Sequence, residues 1–341
     1  MIDLRRPGRS APPVPRTRRP RRALWVCAVG AVVLGVVGWL LLPAREAGPS
    51  GTVTFATGVR TGVYEKYGKL LRDRLDKDLP DVDLRLVHTQ GSVQNLESVA
   101  TGDTEFTVAA ADAVATYRDE ERPGAERLRA CARLYDDYMQ LVVPADSKVE
   151  SAKDLGGLRV GVGEERSGVN LVAGRLLRAA GLAGEEDLTR VHTGIDRMPG
   201  LLAAGELDAF FWSGGLPTDA VRRLADRTDI RLVQLGDLVP RLHQQEPETR
   251  HYRSAVMPPD AYPEVQQGES VKTVAIANLL VTTDRSDQSL TEGLTHAVLR
   301  NRDEIGKQVH AAQKVDLRTA IYTDPLPLHE GAQRYYRSVK P

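Results

Sequence analysis

The sequence predicts an α/β protein of two lobes, joined by two strands that cross between them and preceded by one transmembrane helix. Three observations predict this. Strand-like apolar runs alternate with helix-spaced ones in two successive sets. Two long strand-like runs, "LYDDYMQLVVPADS" (134–147) and "VKTVAIANLLVTT" (271–283), bracket the second set. The stretch "ALWVCAVGAVVLGVVGWLLL" (23–42) is twenty residues without a charge.

Length and composition agree with that outline. A chain of 341 residues exceeds what one core usually serves. Its 41% hydrophobic and 27% charged content is that of a globular protein. The net charge is zero, but residues 1–22 hold eight arginines and five prolines against the single acid Asp3, leaving −7 on the rest. That segment reads as a disordered basic tail.

Residues 23–42 would span roughly 30 Å as a helix, the thickness of a bilayer core. Trp25 and Trp39 stand near its two ends, as interfacial anchors do. The run is longer than a signal-peptide core, and "LLPAREAG" offers no good small-x-small cleavage site, so a retained anchor is favoured over a cleaved signal. Cys27 sits at the start of the run, where a lipid-attachment cysteine would not be. The arginines then keep the N-terminus cytoplasmic and place residues 44–341 outside the cell membrane. A basic tail abutting a membrane, with an acidic domain beyond it, argues against nucleic acid as a partner. Cys131 is left alone on the outer side, so no internal disulfide is expected there.

After the linker 43–51 the elements follow in order. "TVTFAT" (52–57) reads as a buried strand. Tyr64, Tyr67, Leu70, Leu71 and Leu75 have helix spacing. Strand "VDLRLVHT", helix "SVQNLESVATG" and strand "FTVAA" come next, then the long strand ending at Pro144. The second set runs "DLGGLRVGVG", "SGVNLVAGRLLRAAG", "LTRVHTG", "MPGLLAAGELDAFFW" and "IRLVQLG". A Pro-rich section (240–263) precedes the second long strand, and 288–341 reads as helices. Lobe 1 is expected to comprise 52–142 and 276–341, and lobe 2 to comprise 143–275. The hinge is expected near 142–145 and 272–282.

Four strand ends pass through a Gly/Ser/Thr turn into a helix: "FATGVRTGVY", "HTQGSVQN", "VGVGEERSGVN" and "FFWSGGLPTDA". Helix N-termini carry free backbone N–H groups and partial positive charge, so several that converge make an anion-binding cleft. In open α/β sheets ligands sit beyond the carboxyl ends of the strands, where these turns lie. Other chemistry finds little support. Arg166 replaces the third glycine of a dinucleotide loop, and neither G-x-S-x-G nor H-E-x-x-H occurs. The seven histidines never pair at metal spacing, and His88 and His329 read as structural. No cofactor, no metal and no catalytic residue is expected, so the protein is read as a binder and not an enzyme.

At these turns the sequence resembles a known family. "FATGVRTGVYEKYGKLL", "GSVQNLESVATGD", "LYDDYMQLVVPADSKVESAKDLGGLRVGVG", "GELDAFFWSGGLPTDAV" and "PLPLHEGAQRYYR" look like the TAXI family, the solute-binding components of TRAP-type transporters. The resemblance runs in order from about residue 51 to 338. It implies a type II periplasmic-binding-protein fold that closes on a small organic acid or amino acid such as glutamate. It also implies a TRAP-type membrane permease as partner; a membrane-anchored sensor reporting to a sensor kinase is the alternative on the same fold. Carried over by position, Thr57, Gly58, Gly62, Val63 and Tyr64 match the first ligand loop. Gly91, Ser92, Val93 and Asn95 match the second, and Ser213, Gly214, Gly215 and Pro217 match the loop of the second lobe. The sequence departs from the family pattern at Ala110-Ala111-Asp112 and at Arg166-Ser167-Gly168-Val169. Those departures put the ligand's identity in question. Asp112 is expected to accept from a ligand amine, and Arg60 and Arg166 to pair with a ligand carboxylate.

Overall fold

In the computed structural model, residues 48–309, 312 and 315–339 are described. The basic tail and the anchor expected at 23–42 lie outside the described residues. Among the described residues no helix is long and apolar enough to cross a membrane.

The chain enters strand β1 (Gly51–Ala56), where Val53, Phe55 and Ala56 are buried. Helix α1 (Val63–Asp78) follows, burying Tyr67, Leu71 and Leu75 at i, i+4 and i+8, and ending just before Pro80. Truncating Leu71, which is fully buried, would cost about 2–5 kcal/mol. Next come β2 (Val82–Val87), α2 (Ser92–Thr101) and β3 (Phe106–Ala110). Gly102, at φ 89°, closes α2: its N–H donates to Val99 and that of Asp103 to Ser98, a Schellman arrangement. Helix α3 (Ala111–Asp119) starts directly at the end of β3. Sequence reading missed α3, because its alanine-rich start carries no turn residue and no cap signal.

The first long strand, β4 (Leu128–Pro144), begins earlier than the pattern suggested, since "LRACAR" also runs through the interior. The second lobe then contains β5 (Arg159–Gly161), α4 (Gly168–Ala180), β6 (Thr189–Val191), α5 (Met198–Ala203), β7 (Ala209–Gly214), α6 (Asp219–Ala225) and β8 (Ile230–Val233). The Pro-rich section holds short α7 (Val239–Leu242), strand β9 (Tyr252–Met257) and α8 (Pro263–Gln266). Strand β9 was invisible in sequence because only its two end residues are buried, which leaves no period-2 pattern. The second long strand, β10 (Val271–Thr283), returns to the first lobe, where α9 (Gln288–Arg300), α10 (Arg302–Gly306) and α11 (Glu330–Ser338) complete it.

The strands form a sheet ordered β2-β1-β3-β10-β4-β7-β5-β6, with β8 on β4 and β9 on β10. The two ends of that order match. β1 is parallel to β2 and β3, with β10 antiparallel beyond, while β5 is parallel to β6 and β7, with β4 antiparallel beyond. Each long strand changes partner along its length. β10 pairs with β9 over Val271–Ile276 and with β3 over Asn278–Val281. β4 pairs with β10 up to Tyr138 and with β7 from Tyr138 to Val142. The crossover on β4 therefore lies at Tyr138, not at 142–145: Pro144 ends the strand well inside the second lobe. On β10 the change of partner falls between Ile276 and Asn278.

The described residues form three cores. Phe55, Leu71, Phe106, Tyr135 and Leu294 pack in one, and Leu141, Leu176, Phe210, Val221 and Val274 in a second. The third lies around Leu96, Val114 and Leu279, under the helices after β2 and β3.

Candidate functional site

The carboxyl ends of β1, β3, β5 and β7, with the turns that follow them, face one another across the two crossing strands. Between them lies a cavity in which about 60 Å³ is open to the centre of a water molecule, room for a few waters or a compact solute. Its lining includes Gly58, Val59, Gly62, Val63 and Tyr64 from the β1–α1 turn, and Gln90, Gly91 and Ser92 before α2. Ala110 and Asp112 come from the β3–α3 junction, and Gly163, Glu164, Ser167, Gly168 and Val169 from the β5–α4 turn. Gly194, Trp212 and Ser213 complete the second lobe's wall, and Asp137 and Ile276, at the crossover, form the floor. The first turns of α1, α2 and α4 thus reach the same space, and their leading N–H groups have no intrahelical acceptor.

The lobes meet around this cavity. Gly91 takes φ 132° and ψ −155°, a region open only to glycine, and a Cβ there would lie 3.2 Å from the Ser167 side chain. A Cβ on Gly168 would lie 3.0 Å from Ser92 Oγ. Arg166 N–H donates to Gln90 Oε1 (3.0 Å), and its carbonyl accepts from Gln94 N–H (3.1 Å). At one rim Lys66 of α1 pairs with Asp219 of α6 at 2.7 Å.

Two buried carboxyls distinguish the interior. Strand β4 alternates its side chains, so Asp136 turns outward to Arg133 and Arg253 while Asp137, 4% exposed, turns in. Asp137 Oδ1 has no hydrogen-bond partner. Burial pushes its carboxyl up to about 7; the neighbouring Asn278 side chain works the other way, and Asp136 and Asp112 add to the rise. Asp112, 1% exposed, accepts from the Tyr252 hydroxyl at Oδ2 (2.8 Å), with the Arg175 guanidinium 3.7 Å from the same oxygen. Its Oδ1 is unpartnered. Burial raises the Asp112 carboxyl, against the opposing pull of Arg175 and Tyr252.

Tyr64 joins the two halves of this floor. Its hydroxyl donates to Asn278 Oδ1 at 2.5 Å and lies 3.2 Å from Ser92 Oγ, which in turn accepts from Ala110 N–H. Burial, and next to it Asp137, hold the phenol well above its ordinary range, so it stays protonated.

A family model, described as the NMT1-like family, matches residues 55–339. The chain belongs to the NMT1-like family. Solved structures resemble this NMT1-like protein at low identity. A protein from Bordetella bronchiseptica RB50 is 16% identical, with a TM-score of 0.50 over 87% of this chain and 92% of its own. The periplasmic aliphatic sulphonate-binding protein of Escherichia coli is 13% identical, with a TM-score of 0.45 over 86% of this chain and 80% of its own. At such identities the likeness is one of fold alone, and the strand pairing gives the NMT1-like chain its two-lobed, doubly crossed α/β architecture.

Of the residues singled out from sequence, Gly58, Gly62, Val63, Tyr64, Gly91, Ser92, Asp112, Ser167, Gly168 and Ser213 line the cavity of this NMT1-like protein. The others lie elsewhere. Asn95 is fully buried behind the wall, where its amide donates to the carbonyls of Thr57 (2.8 Å) and Val108 (3.1 Å) and accepts from Thr89 (2.5 Å). It is a clamp between β1, α2 and β3, which corrects its reading as a donor to ligand. Thr57 is likewise turned inward, donating to Glu65 at 2.8 Å. The Arg166 side chain pairs with Glu97 on the outer face, and its backbone makes the lobe contact. Arg60 is exposed, and Val93 packs under α2 against the core that holds Leu96 and Val114. Gly214 backs the Trp212 indole, and the Gly215 carbonyl accepts from Thr218. His88 and His329 both sit in structural positions, His88 3.2 Å from Glu65 and His329 accepting from Gly331 N–H at the start of α11.

Sequence reasoning missed Asp137. Its signal was available: an acid at an inward position of a long apolar strand contradicts the strand's own pattern.

Proposed function

We propose that this protein is an extracytoplasmic solute-binding component of a membrane transporter, holding a small organic acid or amino acid between its lobes. The observation that carries the reading is the cavity itself. Three helix N-termini, a phenol, hydroxyls and two carboxyls with unpartnered oxygens converge on one cavity at the crossover of two lobes. Backbone N–H groups at helix starts suit a carboxylate, and closure of two lobes about paired strands sequesters what lies between them.

The resemblance to the TAXI family supports a TRAP-type permease as the receiving partner. Retention of residues 23–42 as a single-pass anchor would hold the protein beside that permease and raise its effective concentration there.

Native mass spectrometry of the full chain, purified in mild detergent, tests the reading. A retained solute of low mass, released on unfolding and returned by titration, is expected. Trp212 lines the cavity, so rebinding should change its fluorescence. The retained solute should be recovered unchanged; chemical conversion of it by the purified chain would show an enzyme instead. A chain that neither retains nor rebinds any small solute would remove the proposal.

A further inference from the structure

We propose that the cavity takes the ammonium group of its solute between Asp112 and Asp137, so that the ligand is a primary amine of zero or positive net charge, such as a neutral or basic amino acid, and not a dicarboxylate. This rests on the solute-binding reading above and narrows its ligand class.

Both acids line the cavity, both are more than nine-tenths buried, and each has one oxygen with no partner. A buried acceptor left unpaired is uncommon unless something not yet present completes it. Asp112 has its other oxygen fixed from behind by Tyr252 and Arg175, which leaves Oδ1 as the free one. Asp137 has only the neutral Asn278 amide beside it, and no cation. An ammonium group supplies three donors and the missing positive charge at once.

The charge balance of the lining points the same way. Asp112, Asp137 and Glu164 line the space, and among the described residues no lysine, arginine or histidine does. One ligand carboxylate can be met by the first turns of α1, α2 and α4. A second would lie among acids and find no lysine, arginine or histidine in the lining to pair with, which disfavours it. The glutamate-like ligand implied by the family resemblance therefore does not fit this chain.

The test is calorimetric titration of the full chain, freed of retained solute, with three sets of probes. These are the proteinogenic amino acids, primary amines from ethylamine to cadaverine, and the nitrogen-free acids propionate, succinate and citrate. Binding of one or more ammonium-bearing neutral or basic probes, at least tenfold tighter than any nitrogen-free acid or glutamate, is expected. Asp137→Asn, confirmed as folded by its melting transition, should weaken that binding at least tenfold. Binding confined to the nitrogen-free acids or to glutamate would overturn the inference and leave the solute-binding reading standing. No binding by any probe would overturn both. Because the comparison among probes is made on the unaltered chain, it decides the matter even where the variant fails to fold.

Discussion

The phenol of Tyr252, on a strand of the second lobe, donates a 2.8 Å hydrogen bond to Oδ2 of Asp112, at the start of a helix in the first lobe. Arg175, almost fully buried, donates to the same phenol at 3.0 Å and to Thr116 of the first lobe at 3.0 Å, and Glu246 pairs with it from outside. One carboxylate therefore does two things: through Oδ2 it fastens the lobes together, and it lines the cavity with Oδ1 left unpartnered. The cavity lining and the contact between lobes meet on a single side chain.

Removing the phenolic oxygen should expose that coupling. Tyr252→Phe leaves Asp112 with a weaker hold on the second lobe, at the cost of about one buried charge-assisted hydrogen bond, roughly 1.5–3 kcal/mol. Because the lost bond exists only when the lobes meet, the effect should fall mainly on ligand dissociation. We expect affinity to drop about tenfold or more through a faster off-rate, with a near-normal on-rate, measured by stopped-flow Trp212 fluorescence. An unchanged off-rate would show that the latch does not contribute to retention.

Asp137 makes a pH-dependent prediction. Its folded carboxyl sits at about 7 against an ordinary 3.8, so the folded state binds this proton more tightly than the unfolded one. Its contribution to stability is thus fully present below about 3.8 and is lost as pH rises through about 7. The groups around it are Asn278 on β10, Asp112 on α3, Tyr64 on α1, and Tyr135 and Asp136 on its own strand. Asp137→Asn removes the titration. In the unliganded state the variant should gain stability over the parent at pH 8 and gain none at pH 4, as read from urea midpoints. A difference that does not vary with pH would show that Asp137 is not held protonated by burial.

The legible part of the fold was the part written in periodicity. Tyr67, Leu71 and Leu75 on one helix, and the uninterrupted apolar run of β10, announced themselves, and the glycine turns announced where helices start. What stayed hidden has physical reasons. Strand β9 buries only Tyr252 and Met257, so no alternation marks it. Helix α3 starts at an Ala-Ala step that suits strand and helix alike. At the site, residue types at the turns were sufficient to bring Tyr64, Ser92 and Ser213 together, but not to say which way a side chain points. Asn95 and Ser92 lie three residues apart on one helix, yet Ser92 lines the cavity and Asn95 clamps the core. Arg175 gave no sign in sequence, because its partners Thr116, Glu246 and Tyr252 are distant in the chain.

Gly91 is where the lobes come closest. Its φ of 132° admits no side chain without strain, and a Cβ would press on Ser167 of the opposite lobe at 3.2 Å. Gly91→Ala should cost roughly 1–3 kcal/mol of stability from backbone strain. It should also weaken ligand binding more than tenfold, because the added methyl opposes closure. Thermal unfolding and calorimetry separate the two effects. Wild-type affinity in a merely destabilised variant would show that closure does not need this contact.

Arg166 tests the opposite case. Its side chain is paired with Glu97 on an exposed face, and its lobe contacts are made by backbone atoms. An exposed pair of this kind contributes about 0–1 kcal/mol. Arg166→Ala should therefore leave both the melting temperature and ligand affinity close to the parent's, within about twofold for affinity. A loss of tenfold or more in calorimetric affinity would return the guanidinium to the role of ligand partner that the sequence suggested.

Asn95 and Ser92 provide the sharpest contrast, because a sequence reading treats them alike. Asn95→Ala leaves two carbonyls and one hydroxyl without their buried partner, at roughly 2–3 kcal/mol, so the unliganded protein should melt several degrees lower. Its affinity should change little once the protein is folded, since the amide does not reach the cavity. Ser92→Ala removes a hydroxyl that touches Tyr64, lines the cavity and accepts from Ala110 N–H, and should shift the balance the other way: a smaller drop in melting than Asn95→Ala and a several-fold loss of affinity. Thermal unfolding with and without ligand distinguishes the two patterns. Exchanged outcomes would mean that the α2 N-terminus presents Asn95, and not Ser92, to the solute.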